Sequence, residues 1–147
     1  MKKIIVITLL TLSANTFAAE DVITKSEVPD RIVVAKAGVG LSQFMMMTMD
    51  FPRSQRYLPK SLESIHWTST YYPNNTGERV QICYTRAGRA GYDQCEEISK
   101  NSSGSTEAFN HHSFDRFARI TIKHLVSGGQ NQGAPAGEDS IAVHYSY

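Results

Sequence analysis

Apolar and polar residues alternate with a period of two through much of the chain. That spacing predicts strands, because successive side chains of an extended backbone face opposite ways. The clearest run lies at the C-terminal end, where Ile141, Val143, Tyr145 and Tyr147 alternate with Ser140, Ala142, His144 and Ser146. Residues 117–125 read FARITIKHL and set Ala118, Ile120 and Ile122 against Arg119, Thr121 and Lys123. Residues 79–98, RVQICYTRAGRAGYDQCEEI, read as a hairpin. Val80, Ile82 and Tyr84 alternate with Arg79, Gln81, Cys83 and Thr85, residues 86–91 turn, and residues 92–98 return.

Weaker runs extend the pattern. Residues 61–72, SLESIHWTSTYY, are rich in the Thr and aromatic residues that strands favour, with Ile65 and Trp67 as the inward candidates. Residues 31–35, RIVVA, are a short β-branched run read as the first strand. Residues 41–51, LSQFMMMTMDF, place Leu41, Met45, Met47, Met49 and Phe51 opposite Ser42, Phe44, Met46, Thr48 and Asp50. We read this as a strand bounded by Gly40 and Pro52, with a helix as the alternative. Its methionines are expected to fill core gaps rather than to bind metal.

Between these runs lie breaks. Residues 19–30 are polar and contain Pro29, and are read as a flexible N-terminal segment. Residues 73–77, PNNTG, are a turn. Residues 99–105 form a Ser/Gly turn leading into a short edge strand at 106–109. Residues 127–139, SGGQNQGAPAGED, form a long loop. The count is seven or eight strands with no long helix. The expected fold is all-β, a small antiparallel β-sandwich, with residues 31–147 as a single domain.

The N-terminus breaks the pattern. Lys2 and Lys3 precede an apolar run at residues 4–12, followed by small and polar residues up to Ala18. This is the order of a secretory signal peptide, read as residues 1–18 with cleavage after Ala18. The 147 residues less this leader leave 129, and its two lysines reduce fifteen basic residues to thirteen against fourteen acidic ones. A net charge of −1 argues against nucleic-acid binding. No later apolar run is long enough to span a bilayer, so no membrane insertion of the mature chain is expected. Two cysteines in an exported chain, Cys83 and Cys95, are most economically one disulfide. Closing the hairpin in this way contributes about 3 kcal/mol through loop-closure entropy.

Candidate chemistry is thin. Five histidines are present, His66, His111, His112, His124 and His144, in no recognised ligand spacing. His66, His124 and His144 all fall in strands, on faces shared with small or polar residues. Three strand histidines meeting in a sheet could bind zinc, but the expectation is no metal. Glu96 and Glu97 are adjacent and so face opposite ways in a strand. No serine lies in a GxSxG elbow and the glycine-rich loop lacks GKS/T. We expect no catalytic residue, no cofactor and no enzyme. Seven tyrosines leave room for a sugar-binding or protein-binding surface.

The order of elements in the C-terminal half resembles the FlhE family of periplasmic flagellar proteins. The features are a Trp-centred strand at 62–72, ERVQIC and YDQCEEI with their two cysteines, SGSTEAF, ARITIKHLVSGG, the pair Pro135-Ala136, and the terminal EDSIAVHYSY. Together they cover residues 38–147. The resemblance implies a non-enzymatic periplasmic accessory of flagellar assembly or export-gate regulation, acting on a protein partner. The alternative class is a secreted recognition module: a toxin binding subunit, an adhesin or a glycan-binding sandwich. A weaker option is an enzyme inhibitor presenting the loop at 127–139.

Overall fold

The structure is a computed structural model and describes residues 18–34 and 37–147. The signal-peptide expectation therefore falls outside the described residues, except for Ala18. Ten strands occur in chain order: β1 Glu20–Glu27, β2 Gly38–Met45, β3 Ser61–Ser69, β4 Asn75–Thr76, β5 Arg79–Thr85, β6 Gln94–Ile98, β7 Ser102–Thr106, β8 Arg119–Val126, β9 Gly128–Gly129 and β10 Asp139–Ser146. The first sheet has the order β1-β10-β3-β7 and the second β2-β8-β5-β6, while β4 and β9 form a two-stranded ribbon. Every pairing is antiparallel. The all-β, sandwich expectation is met.

The core lies between the two four-stranded sheets. Ile65, Ile141, Val143 and Tyr145 come from the first, and Phe44, Val80, Ile82, Tyr84, Ile120 and Ile122 from the second. Period-two alternation in β5, β8 and β10 presents these side chains to one another, as the sequence predicts. At one end Phe51 and Phe114, both from loops, meet Tyr145 edge-on and tilted, with centroids 5.5 and 5.6 Å from it and 6.0 Å from each other. The Tyr145 hydroxyl donates to Gln55 Oε1 at 2.7 Å, which satisfies the one polar atom that burial would otherwise strand.

Several expectations are corrected. Residues 19–30 are not a free segment: β1 pairs with β10 from Glu20↔Ser146 to Glu27↔Asp139. Only Ile23 of this strand is buried. An edge strand can be polar because its ladder, not its side chains, attaches it. The run at 31–35 is not a strand: Ile32 makes one isolated bridge to Gly133, and Ala35 lies outside the described residues. Ile32 and Val34 instead form a small second core with Tyr72 and Val126.

The strand expected over 41–51 stops at Met45, and a short 3-10 turn follows at Thr48–Asp50. Asp50 Oδ2 accepts the Met47 amide at 2.5 Å, which closes that turn. The inward face is Ser42, Phe44 and Met46; Met45, Met47 and Met49 are exposed, so three of the four methionines do not fill core gaps. In β3 the register to β10 slips between His144 and Tyr145, so Leu62 as well as Ile65 points inward, while Trp67 is only half-buried. The Ser/Gly turn expected at 99–105 and the strand at 106–109 give way to edge strand β7. A Cβ at Gly104 would lie 2.6 Å from Trp67 Cζ2, so the missing side chain makes room for the indole.

Cys83 and Cys95 lie directly opposite each other in the β5–β6 hairpin and are bonded, with Cα atoms 4.0 Å apart. Cys83 is fully buried and Cys95 is exposed. The bond staples edge strand β6 to the centre of the second sheet. Replacing both cysteines by alanine is expected to lower the unfolding free energy by about 3 kcal/mol. Urea unfolding, followed by tryptophan fluorescence, measures that loss.

Candidate functional site

The densest polar cluster lies inside the protein, at the end of the sandwich near the β4–β9 ribbon. His124 sits on β8 in line with Ile120 and Ile122, and so points inward. Its Nδ1 is 2.9 Å from Glu78 Oε1, and its Nε2 is 3.0 Å from Asp139 Oδ2 and 3.2 Å from Oδ1. All three side chains are wholly inaccessible. Asp139 opens β10, and Glu78 precedes β5 after a turn in which Gly77 takes φ +62°. Asp139 also accepts the Ser42 hydroxyl at 2.7 Å and the Thr70 amide at 2.8 Å. Glu78 Oε2 accepts the Tyr72 amide at 3.2 Å and lies 3.7 Å from Lys100 Nζ.

Both ring nitrogens face carboxylate oxygens, so both donate and the ring is an imidazolium. Burial alone would lower the His124 pKa; the hydrogen bond and charge of Asp139, followed by those of Glu78, outweigh it and raise the value. Tyr72 closes the cluster. Its ring meets the imidazole edge-on at 5.3 Å and its hydroxyl donates to Asp30 O at 2.5 Å. Burial, then the charges of Asp139, Asp30 and Glu78, push that phenol far above its ordinary value. A Cβ at Gly40 would lie 2.0 Å from the Tyr72 hydroxyl, so only glycine leaves the phenol its place.

The chemistry of this array is holding, not attack. A hydrolytic serine gives its proton to an imidazole nitrogen. Here Ser42 donates to a carboxylate, both imidazole nitrogens are occupied, and Ser42 is itself wholly buried. The array ties the first sheet, through Asp139, to the second, through Ser42 and His124.

The structure separates the three strand histidines. His66 and His144 meet on the outer face of the first sheet, with centroids 4.5 Å apart, while His124 lies in the interior of the second. The sequence reading put His124 on a face of small or polar residues; its parity with Ile120 and Ile122 was the signal for the inward position. His111 and His112 stand side by side at 4.0 Å, and His112 stacks on Tyr84. Among the described residues no group of three or more His, Cys, Asp or Glu side chains is arranged to hold a metal. Glu78, Asp139, Ser42 and Thr70 were missed, because nothing local marks a residue that meets its partner across two sheets.

The surface is less tyrosine-rich than the sequence implies. Tyr72, Tyr84 and Tyr145 are core residues, and only Tyr57 and Tyr92 are strongly exposed. The hairpin turn beside Tyr92 carries Arg86 and Arg89, but Asp93 engages both. The hydrogen bond from Arg86 holds the Asp93 carboxyl far below the usual carboxylate range. The exposed methionines form a second feature, at the end of the sandwich near Phe51 and Phe114.

These features define a disulfide-stapled antiparallel β-sandwich with a buried ionic clamp. No protein-family model matches the chain, and no curated protein matches its sequence. Among solved structures, the crystal structure of FlhE matches with a TM-score of 0.60 at 16% identity, covering 88% of this chain and 100% of that one. The fold is that of FlhE.

Replacing His124 by leucine is expected to cost about 3–5 kcal/mol, because it leaves two buried carboxylates without their shared cation. The pH dependence has a definite sign. The folded-state pKa is raised, so this stabilisation is complete below the unfolded value of about 6.5 and is lost as pH rises through the folded value. Thermal melts of wild type and variant across that range should show their gap largest on the acid side of neutrality and narrowing on the alkaline side.

Proposed function

We propose that this protein is an exported, periplasmic accessory of flagellar assembly that works by binding a protein partner rather than by catalysis. The observation that carries this reading is the fold match to FlhE, which spans that chain completely. The leader-like N-terminus and the Cys83–Cys95 bond support an oxidising compartment. A protein-binding role is supported by the fully buried polar cluster, which no substrate could reach without unfolding, together with the exposed methionines. Among the described residues, no helix is long and apolar enough to cross a membrane.

The rival glycan-binding reading rested on the number of tyrosines, and three of those seven are core residues. The same burial removes those tyrosines from a protein-binding surface, so the partner-protein reading stands on the fold match and the exposed methionines.

Deleting the gene in its own host is expected to reduce swimming, with restoration by the full chain. The restored protein should fractionate with the periplasm and carry Ala19 as its first residue by mass spectrometry. Normal swimming of the deletion strain would overturn the flagellar role; an intact N-terminus in the cytoplasmic fraction would overturn export.

A further inference from the structure

We infer that the end of the sandwich carrying Met45, Met47, Met49 and Phe117 is the docking surface, and that its occupant is an acidic segment of another protein with apolar side chains of its own. The inference rests on the protein-binding reading above and adds to it a surface and a partner chemistry.

Exposure is concentrated there. Eleven large apolar side chains are exposed among the described residues, and six belong to this end: the four named, Tyr57 and Leu58. Their segments adjoin. The Met46 amide donates to Ala118 O at 2.8 Å and the Phe117 amide to Met46 O at 2.6 Å. The Arg116 guanidinium stands 5.3 Å from the Tyr57 ring centroid. Lys60 joins the Leu58 carbonyl, at 2.8 Å, to Asp115, at 3.1 Å. Methionine side chains adapt to the shape of a partner, which suits such a surface.

Phe117 is the most telling residue. It takes φ +68°, a conformation that costs any residue with a Cβ, yet its ring is half exposed and gains little from burial. Strain of this kind at a surface residue points to a use for the ring that folding does not supply.

Charge identifies the occupant. At this end stand Lys25, Arg53, Arg56, Lys60, Arg116 and Arg119 against Asp21, Asp50 and Asp115, and the Lys60 side chain is itself inaccessible. All three carboxylates are engaged, Asp21 by the Gln55 amide at 3.1 Å, Asp50 by Lys25 at 2.8 Å and Asp115 by Lys60. Among the described residues, none of the four arginines has a carboxylate within ion-pair distance, and Arg119 Nε is buried without an acceptor. The whole chain is nearly balanced, so this basic excess is local. Guanidinium groups pair with carboxylates through two parallel hydrogen bonds. A second copy of this chain is disfavoured, because it would set arginines against arginines. A protein segment fits better than a lipid surface, because a ring held in one strained backbone geometry is preorganised for a partner of defined shape.

The test uses the mature chain and a fluorescein-labelled peptide of repeated Glu-Glu-Leu-Leu units, with a Lys-Lys-Leu-Leu peptide and phosphatidylglycerol vesicles as comparisons. Fluorescence anisotropy should report saturable binding of the acidic peptide alone. Arg116→Glu should weaken it about tenfold, the loss of one close charge pair. Phe117→Gly should weaken it similarly while holding or raising the melting temperature, because glycine takes a positive φ freely. Absence of acidic-peptide binding, equal binding of the basic peptide, indifference to both variants, or capture by vesicles in its place would each overturn the proposal. Swimming separates this proposal from the flagellar reading. If the deletion strain swims normally while peptide binding behaves as stated, the surface stands and the flagellar role falls. If deletion impairs swimming and both variants restore it fully, the flagellar role stands and the surface falls.

Discussion

Everything at one end of this protein depends on a single buried cation. Removing His124, Glu78 and Asp139 from water is expensive, and the cost is offset only when both imidazole nitrogens and the carboxylate oxygens find partners at once. Asp139 has four such contacts and they arrive from separate elements: two from the His124 nitrogen, one from Ser42 and one from the backbone of Thr70. The two sheets must therefore meet in one relation. Sliding β10 by one residue would turn Asp139 out of the interior and flip Ile141, Val143 and Tyr145 to the surface with it. Specificity of packing, more than net stabilisation, is what such a cluster supplies.

The opposite end is built by different means. Phe51, Phe114 and Tyr145 pack edge-on, and the polar tips of Tyr145 and Tyr84 are satisfied by Gln55 and by the Ser113 carbonyl. Along the flank, the disulfide holds β6 to β5 where the hairpin turn is long. The outcome is a rigid frame that is charged and sealed at one end, and apolar with unpaired arginines at the other. A sandwich of this type does not define a function by itself; the surfaces it holds in place do. The FlhE fold supplies the frame, and the exposed methionines with Phe117 are where this chain departs from a self-satisfied surface.

Legibility in the sequence followed burial. Strands β5, β8 and β10, each with one face in the core, carry the alternation that identifies them, and their inward apolar residues were read correctly, while the inward polar residues His124 and Asp139 were not. The edge strands of the first sheet were not legible. The β1 sequence, EDVITKSE, and the β7 sequence, SSGST, hold one and no buried apolar side chains respectively, because a ladder on one side suffices to hold them. The β3 bulge hid Leu62 by interrupting the period on which the reading relied.

What the amino-acid sequence determined alone was the all-β class, the central strands and the pairing of Cys83 with Cys95, because each depends on local periodicity or on a count of two. The tertiary structure decided the rest. It placed His124 between two carboxylates that stand far from it in sequence, released three methionines to the surface, and gathered uncompensated arginines around them. None of these could be read in advance, since a polar residue in a strand carries no local mark of the partner it meets across the sandwich, and a methionine is equally at home in a core or on a binding face.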